Sequence, residues 1–182
     1  MNIIKTEIEG VLFLTPKLFE DDRGYFFESF SLREFEQAVP GAAFVQENEA
    51  KSTFGVLRGL HLQRAPHAQS KLVRAVKGRI LDVAVDVRAG SPTFGRHVAR
   101  ELSDENKCQL FIPKGFAHGY AVLSDEAIVQ YKCDAYYAPS HEMGIRFDDP
   151  DLGIDWLLQA NQIILSEKDK KHPFLRAIKS DL

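Results

Sequence analysis

Through the middle of the chain, apolar and polar residues alternate with a period of two. Between Ile80 and Arg88, Val83, Val85 and Val87 share one face while Asp82, Asp86 and Arg88 share the other, the pattern of a half-buried strand. Leu72 to Lys77 reads as its hairpin partner with Gly78 at the turn, and Gly90-Ser91-Pro92-Thr93-Phe94-Gly95 ends the unit. Further short strands are predicted over Phe94 to Leu102, Gln109 to Ile112, His118 to Ser124 and Ala127 to Ala135. Short, closely spaced strands broken by turns predict an all-β sandwich or barrel rather than βαβ units. Helices are few. Ser31-Leu32-Arg33-Glu34 is a capping-box pattern opening a short helix that Pro40-Gly41 closes, and Ser166-Glu167-Lys168-Asp169 opens a second that Pro173 limits.

Length and composition narrow the class without naming a function. The 182 residues, 45% hydrophobic and 27% charged, suit a single domain spanning 1–182 that buries roughly 70% of its unfolded surface. No apolar run approaches the length of about 18 residues that a membrane span needs, and Met1 to Glu7 shows no signal-peptide pattern; the expected compartment is the cytoplasm. Cys108 and Cys133 have neither disulfide-framework nor metal-type spacing and read as small buried residues. A net charge of −3 gives no general attraction to nucleic acid, so an anionic ligand needs a local cluster of arginine and lysine.

Candidate chemistry concentrates in a few places. Of the six histidines, His61 lies in the glycine-framed run Gly55 to Gln63 and His118 in Pro113-Lys114-Gly115-Phe116-Ala117-His118; His67, His97, His141 and His172 sit in turn-like or polar surroundings that suit a solvated surface role. Imidazole is the side chain best matched to proton transfer near neutral pH. Arg58 stands three residues before His61, on the opposite face of a regular strand, unless a bulge at Gly59 brings the two together. Tyr131 shares a face with Val129 and Cys133, as a core tyrosine or as a phenol inside a barrel. Asp169 falls in the first turn of the second helix, where backbone N–H groups stabilise a carboxylate; only tertiary folding could bring it to His61. Gln46-Glu47-Asn48 supplies amides for an uncharged polar group. The segment Asp21 to Phe30 is rich in aromatics on both faces and must bury them, either at a subunit interface or against a nucleobase.

The run Gly55 to Gln63, followed by Lys71, Gly78 and Pro113 to His118, resembles the layout of a cupin, a double-stranded β-helix or jelly-roll barrel, with its metal site rewritten. Gly55 stands six residues before His61, where the second histidine of the cupin pair is replaced by Gln63; the position seven residues before Gly78, a glutamate in the metal-binding pattern, is Lys71. An ammonium repels a divalent ion, so no metal and no cofactor are expected. A histidine base beside a lysine cation suits proton removal next to a carbonyl, and an oxyanion-stabilising group of that kind contributes on the order of 3 kcal/mol.

Phe19 to Gly24 with Phe27 to Phe30, Gly55 to His61, Lys71 to Arg74, Asp82 to Asp86, Ser91 to Gly95, Pro113 to Gly119, Tyr131-Lys132, Asp148 to Trp156 and Leu165 to Asp169 together resemble the dTDP-4-dehydrorhamnose 3,5-epimerase family over nearly the whole chain. The resemblance implies a metal-free cupin enzyme, a homodimer with N-terminal strands packed across the interface, acting on a dTDP-4-keto-6-deoxy sugar in dTDP-L-rhamnose synthesis. It implies His61 as base paired with Asp169, Tyr131 as acid, and Lys71 on the C4 carbonyl oxygen. Arg23, Glu28, Gln46, Asn48, Arg58, His118, Glu142 and Lys168 would hold sugar, diphosphate or thymidine, with Phe19 near the base. Glu47 departs from the expected aspartate and should face away from the ligand. The same residues would also serve a single epimerisation at C3 or C5; the loss of two metal ligands argues against a metal-dependent cupin.

Overall fold

The computed structural model describes residues 1–179. In chain order the strands are β1 (Asn2–Lys5), β2 (Leu12–Thr15), β3 (Phe19–Asp21), β4 (Gly24–Phe26), β5 (Gln46–Thr53), β6 (Leu57–Gln63), β7 (Lys71–Lys77), β8 (Arg79–Asp86), β9 (His97–Ser103), β10 (Gln109–Ile112), β11 (Phe116–Val122), β12 (Glu126–Cys133) and β13 (Glu142–Gly144). Helix α1 (Leu32–Ala38) lies between β4 and β5, and α2 (Leu175–Ile178) follows β13. One sheet runs β1-β2-β10-β7-β12-β5, a second runs β13-β6-β11-β8-β9, and β3-β4 form a separate hairpin. The two large sheets enclose a shared core as an antiparallel jelly-roll barrel of the cupin kind.

Three apolar clusters show how each strand is divided. Val73, Ala75, Ile80, Ala84, Leu110, Ile112, Phe116, Val122 and Val129 come from both sheets and fill the space between them. Leu57, Leu60, Leu62, Leu81, Val83, Val85 and Ala121 lie on the outer face of the second sheet, under Leu152, Trp156, Leu175 and Ile178 of the C-terminal segment. Leu12, Leu14, Leu72 and Phe111 lie on the outer face of the first sheet, covered by Phe35 of α1. Strands covered on both sides explain why the middle of the sequence is so apolar.

The alternation along β8 is therefore correct in period, but its polar face meets no solvent. Asp82 and Asp86 are fully buried, because that face is the barrel interior and the valine face lies under the C-terminal segment. Asp86 accepts hydrogen bonds from Arg88 Nε (2.9 Å), Ser91 Oγ (2.6 Å) and Thr93 Oγ1 (2.5 Å) and ties down the turn ahead of β9. Burial works to raise this carboxyl, yet those donors hold it well below the ordinary aspartate range.

Leu72 to Lys77 is not the hairpin partner of β8. Strand β7 pairs with β10 and β12, whereas β8 pairs with β11 and β9. At Gly78 the chain crosses from one sheet to the other. Its φ is +71°, and a Cβ there would lie 2.0 Å from the Glu126 carbonyl oxygen, so both conformation and space select glycine.

The local signals at the ends hold in part. Helix α1 starts after Ser31, but that side chain makes no capping bond; Phe35, stacked at 5.1–5.8 Å against Phe30, Phe44 and Phe111, anchors the helix instead. After Ser166 the chain forms only a 3₁₀ turn, Asp169–Lys171, and α2 begins beyond Pro173. The aromatic segment is a short hairpin, not a long strand, and Phe19, Tyr25 and Phe26 are 54%, 56% and 70% exposed. Replacing Gly78 with alanine is expected to lower unfolding free energy by roughly 2 kcal/mol. Urea denaturation with an unchanged m-value checks this, and an unaltered midpoint would show that the crossing tolerates a side chain.

Candidate functional site

Polar side chains at the inward positions of the barrel strands are aimed at one another. Gln46, Asn48 and Ala50 on β5, Lys71 on β7, His118 and Tyr120 on β11 and Tyr131 on β12 all line one interior space. The β6–β11 register pairs His118 with His61 but Tyr120 with Arg58, so β6 carries one extra residue between those pairs. This is the bulge that puts Arg58 and His61 on the same side. Gly59, at φ +136°, sits in it; a Cβ there would stand 2.4 Å from the Gly119 Cα.

His61 Nε2 lies 2.5 Å from Asp169 Oδ1, although 108 residues separate the two. Asp169 is buried, its Oδ2 accepts from Ser166 Oγ (2.9 Å), and its own N–H donates to that hydroxyl (3.1 Å). Burial pushes the Asp169 carboxyl up, but the hydrogen bond and charge of His61, with Ser166, bring it below its ordinary value. It is an anion at neutral pH, so His61 Nε2 is the donor of that contact. His172, expected on the surface, is tucked against the same carboxylate, with Nε2 3.3 Å from Oδ1.

A second imidazole–carboxylate contact lies deeper. His118 Nε2 stands 2.7 Å from Asp82 Oδ1, and neither side chain is more than 6% exposed. Burial lowers the pKa of His118, Asp82 opposes this, and the nearby charges of Lys71 and His61 lower it further. Lys71 is also held below its ordinary value by burial, with Cys133, Asp82 and Glu142 acting in the other direction. Its ammonium is 5.8 Å from the centre of the Tyr131 ring. Burial, then Cys133, raise the Tyr131 phenol, against Arg58; the phenol remains a proton donor at neutral pH.

The interior space has two lobes that share His61, Lys71 and Tyr131 as a common wall. The smaller, of about 290 Å³, is lined by amides of Gln46, Asn48, Gln63 and Gln69 together with Tyr137 and Glu142. The larger, of about 440 Å³, is lined by Arg58, His118, Tyr120, Lys168 and Asp169. Between the lobes Glu142 receives Lys168 Nζ (2.5 Å) and the Tyr137 hydroxyl (2.6 Å). These donors outweigh the effect of burial and keep the carboxyl below its usual range. Gln63 is spoken for: its Nε2 donates to the His67 carbonyl (2.7 Å) and its Oε1 accepts from the Ala138 N–H (2.7 Å). Glu47 faces outward to Lys132, as expected.

Phe19, Arg23 and Glu28 line neither lobe. Arg23 is 90% exposed at the tip of the β3–β4 hairpin and pairs with Asp21 (2.6 Å). The remaining candidates converge. Sequence reasoning passed over Asp82, Ser166, Tyr137 and His172. Asp82 was visible as a carboxylate in a strand whose neighbours are apolar; the other three depend on how the C-terminal segment and the loop after β12 return to the barrel. The donors closest to a metal-like grouping are His61, Asp169 and His172, within 4.8 Å of one another, but the shortest of these separations is the hydrogen bond already described.

Comparison with known proteins points one way. The family described as dTDP-4-dehydrorhamnose 3,5-epimerase matches residues 5–177. The dTDP-4-dehydrorhamnose 3,5-epimerase of Shigella flexneri is 55% identical over 170 residues, covering 93% of each chain. The crystal structure of dTDP-6-deoxy-D-glucose-3,5-epimerase from Legionella pneumophila Philadelphia 1, in complex with dTDP-4-keto-L-rhamnose, superposes with a TM-score of 0.95 at 48% identity, covering 99% of this chain and 95% of that one. A 3'-monoepimerase from Streptomyces bikiniensis, in complex with dTDP-quinovose, has a TM-score of 0.90 at 36% identity, covering 97% and 89%.

Since Asp82 is the group that supports protonation of His118, Asp82→Asn should move the His118 titration to still lower pH. Ring-proton NMR across the acid range reads this directly; an unchanged or higher midpoint would mean that Asp82 does not govern the imidazole.

Proposed function

This chain belongs to the dTDP-4-dehydrorhamnose 3,5-epimerase family, and from that premise we propose how its residues invert C3 and C5 of dTDP-4-dehydro-6-deoxy-D-glucose to give dTDP-4-dehydro-L-rhamnose. The observation that carries the reading is the shared wall of the two lobes, where base, cation and phenol stand together, with the base held by Asp169 at 2.5 Å. The C4 ketone acidifies the hydrogens on both C3 and C5, because loss of either gives an enolate on the same oxygen. His61 Nδ1 takes the proton, and the imidazolium that forms is stabilised by Asp169. Lys71 Nζ holds the enolate oxygen. Tyr131, on a strand of the opposite sheet, returns a proton to the other face of the ring and so inverts the centre. General acid and base catalysis of this type contributes roughly 10² to 10⁴ in rate.

Binding follows from the lining. Arg58 and His118 face the sugar side, and Lys168, released from Glu142, offers charge to the diphosphate. Gln46 and Asn48 present amides to the thymine edge beside the ring of Tyr137. The 182-residue chain acts as one domain, in the cytoplasm; the free thiols of Cys108 and Cys133 fit a reducing compartment. Among the described residues no helix is long and apolar enough to cross a membrane.

The protein works as a homodimer in this reading. The β3–β4 hairpin exposes Phe19, Tyr25 and Phe26 and places Arg23 and Glu28 away from the cavity of their own chain. Docked on a second copy, it would bury that apolar surface and bring Phe19, Arg23 and Glu28 to the neighbouring site.

Two measurements test this reading. In heavy water, authentic substrate should acquire deuterium at both C3 and C5; His61→Ala should abolish exchange and Tyr131→Phe should slow product formation by at least about a hundredfold. Exchange at one carbon alone would assign a single epimerisation, and none at all would defeat the reading. By sedimentation velocity the protein should be a dimer that Phe26→Asp converts to monomer with weakened dTDP binding; a wild-type monomer with full affinity would exclude the shared site.

A further inference from the structure

His172 was expected at the surface, yet it is packed against Asp169 and lines neither lobe of the cavity. Its side chain is 10% exposed, and its Nε2 lies 3.3 Å from Asp169 Oδ1. That nitrogen is buried and has no hydrogen-bond partner among the described residues. The ring stands edge-on to that of His61, at 5.5 Å between centroids and 78° between planes. Two imidazoles thus approach one carboxylate oxygen, and only His61 makes the hydrogen bond.

The backbone beneath is shaped for this ring. Gly144 on β13 is the cross-strand partner of His61. A Cβ on Gly144 would meet three His172 ring atoms at 2.2–2.4 Å. Gly144 is not among the glycines of positive φ, so its lack of a side chain serves the approach of the imidazole rather than a turn. The Arg146 N–H donates to the Pro173 carbonyl (2.9 Å), clamping the segment to the strand that carries Gly144.

We infer that His172 is a positioning residue for the base: its polar Nε2 edge, 3.3 Å from Asp169 Oδ1, stands where a mobile water would otherwise bind and keeps that carboxylate directed at His61. The inference rests on the reading of His61 as the base. A charged imidazolium forms on His61 each time a ring proton is taken, and a carboxylate hydrated from behind would stabilise it less and hold it less firmly. Burial keeps His172 below its ordinary titration range, so at neutral pH it does not compete as a cation for Asp169.

Three variants separate this role from simple packing. His172→Phe fills the volume without a ring nitrogen, Gly144→Ala pushes the ring off Asp169 while keeping an imidazole at position 172, and His172→Gln restores a polar N–H. In the first two, kcat should fall about tenfold with KM within about twofold of wild type, and the downfield NMR resonance of the His61 Nε2–H should weaken or move. His172→Gln should keep kcat within about threefold of wild type. Either His172→Phe or Gly144→Ala, folded, with wild-type kcat and an unmoved resonance would overturn the inference, as would His172→Gln no more active than His172→Phe. Turnover retained in His61→Ala would instead remove the premise, which distinguishes the two failures.

Discussion

A charge placed inside a largely covered β-barrel loses much of its hydration and must find an opposite charge or a donor there. The 2.5 Å contact between His61 and Asp169 meets that condition for the side chain proposed as the base, and much of the architecture serves it. The bulge at Gly59 turns His61 inward beside Arg58. The segment after β13 covers the outer face of the second sheet with Leu152 and Trp156, then returns through Ser166 to deliver Asp169. Covering the sheet and completing the site are achieved by the same stretch of chain.

The second pair, His118 with Asp82, answers the same constraint at greater depth. Here the carboxylate supports two neighbours: it favours protonation of His118 and of Lys71 against the cost of burial. The cavity therefore sets carboxylates beside its cations, and its positive character is tempered rather than unrestrained. A chain of net charge −3 thus keeps a local cationic spot in the proposed site.

Much of this was legible in the order of residues. Period-two alternation located most of the barrel strands, and Lys71 could be placed from its spacing of seven residues before Gly78, the position of an inward glutamate in the cupin pattern. The cupin-like spacing also placed Gln63 and Lys71 on the wall of the cavity. What the alternation could not reveal was which strands are neighbours: a jelly roll interleaves strands distant in sequence, so β7 and β8, joined by one glycine, lie in different sheets. Nor could it tell a polar face turned to solvent from one turned to a polar interior, which is why Asp82 and Asp86 looked exposed. Turn-like segments such as Lys170 to Pro173 carry no periodicity at all, and the burial of His172 depends on the strand beneath it.

Gln63 stands where a ligating histidine would be expected, yet its amide joins two loops, one at His67 and the other at Ala138, to the rim of β6. Restoring an imidazole at this position would strand a backbone carbonyl and a backbone N–H without their partner and loosen both loops at the cavity mouth. Gln63 is a mooring, so building a metal site at this position would require rebuilding the entrance as well as the coordination sphere.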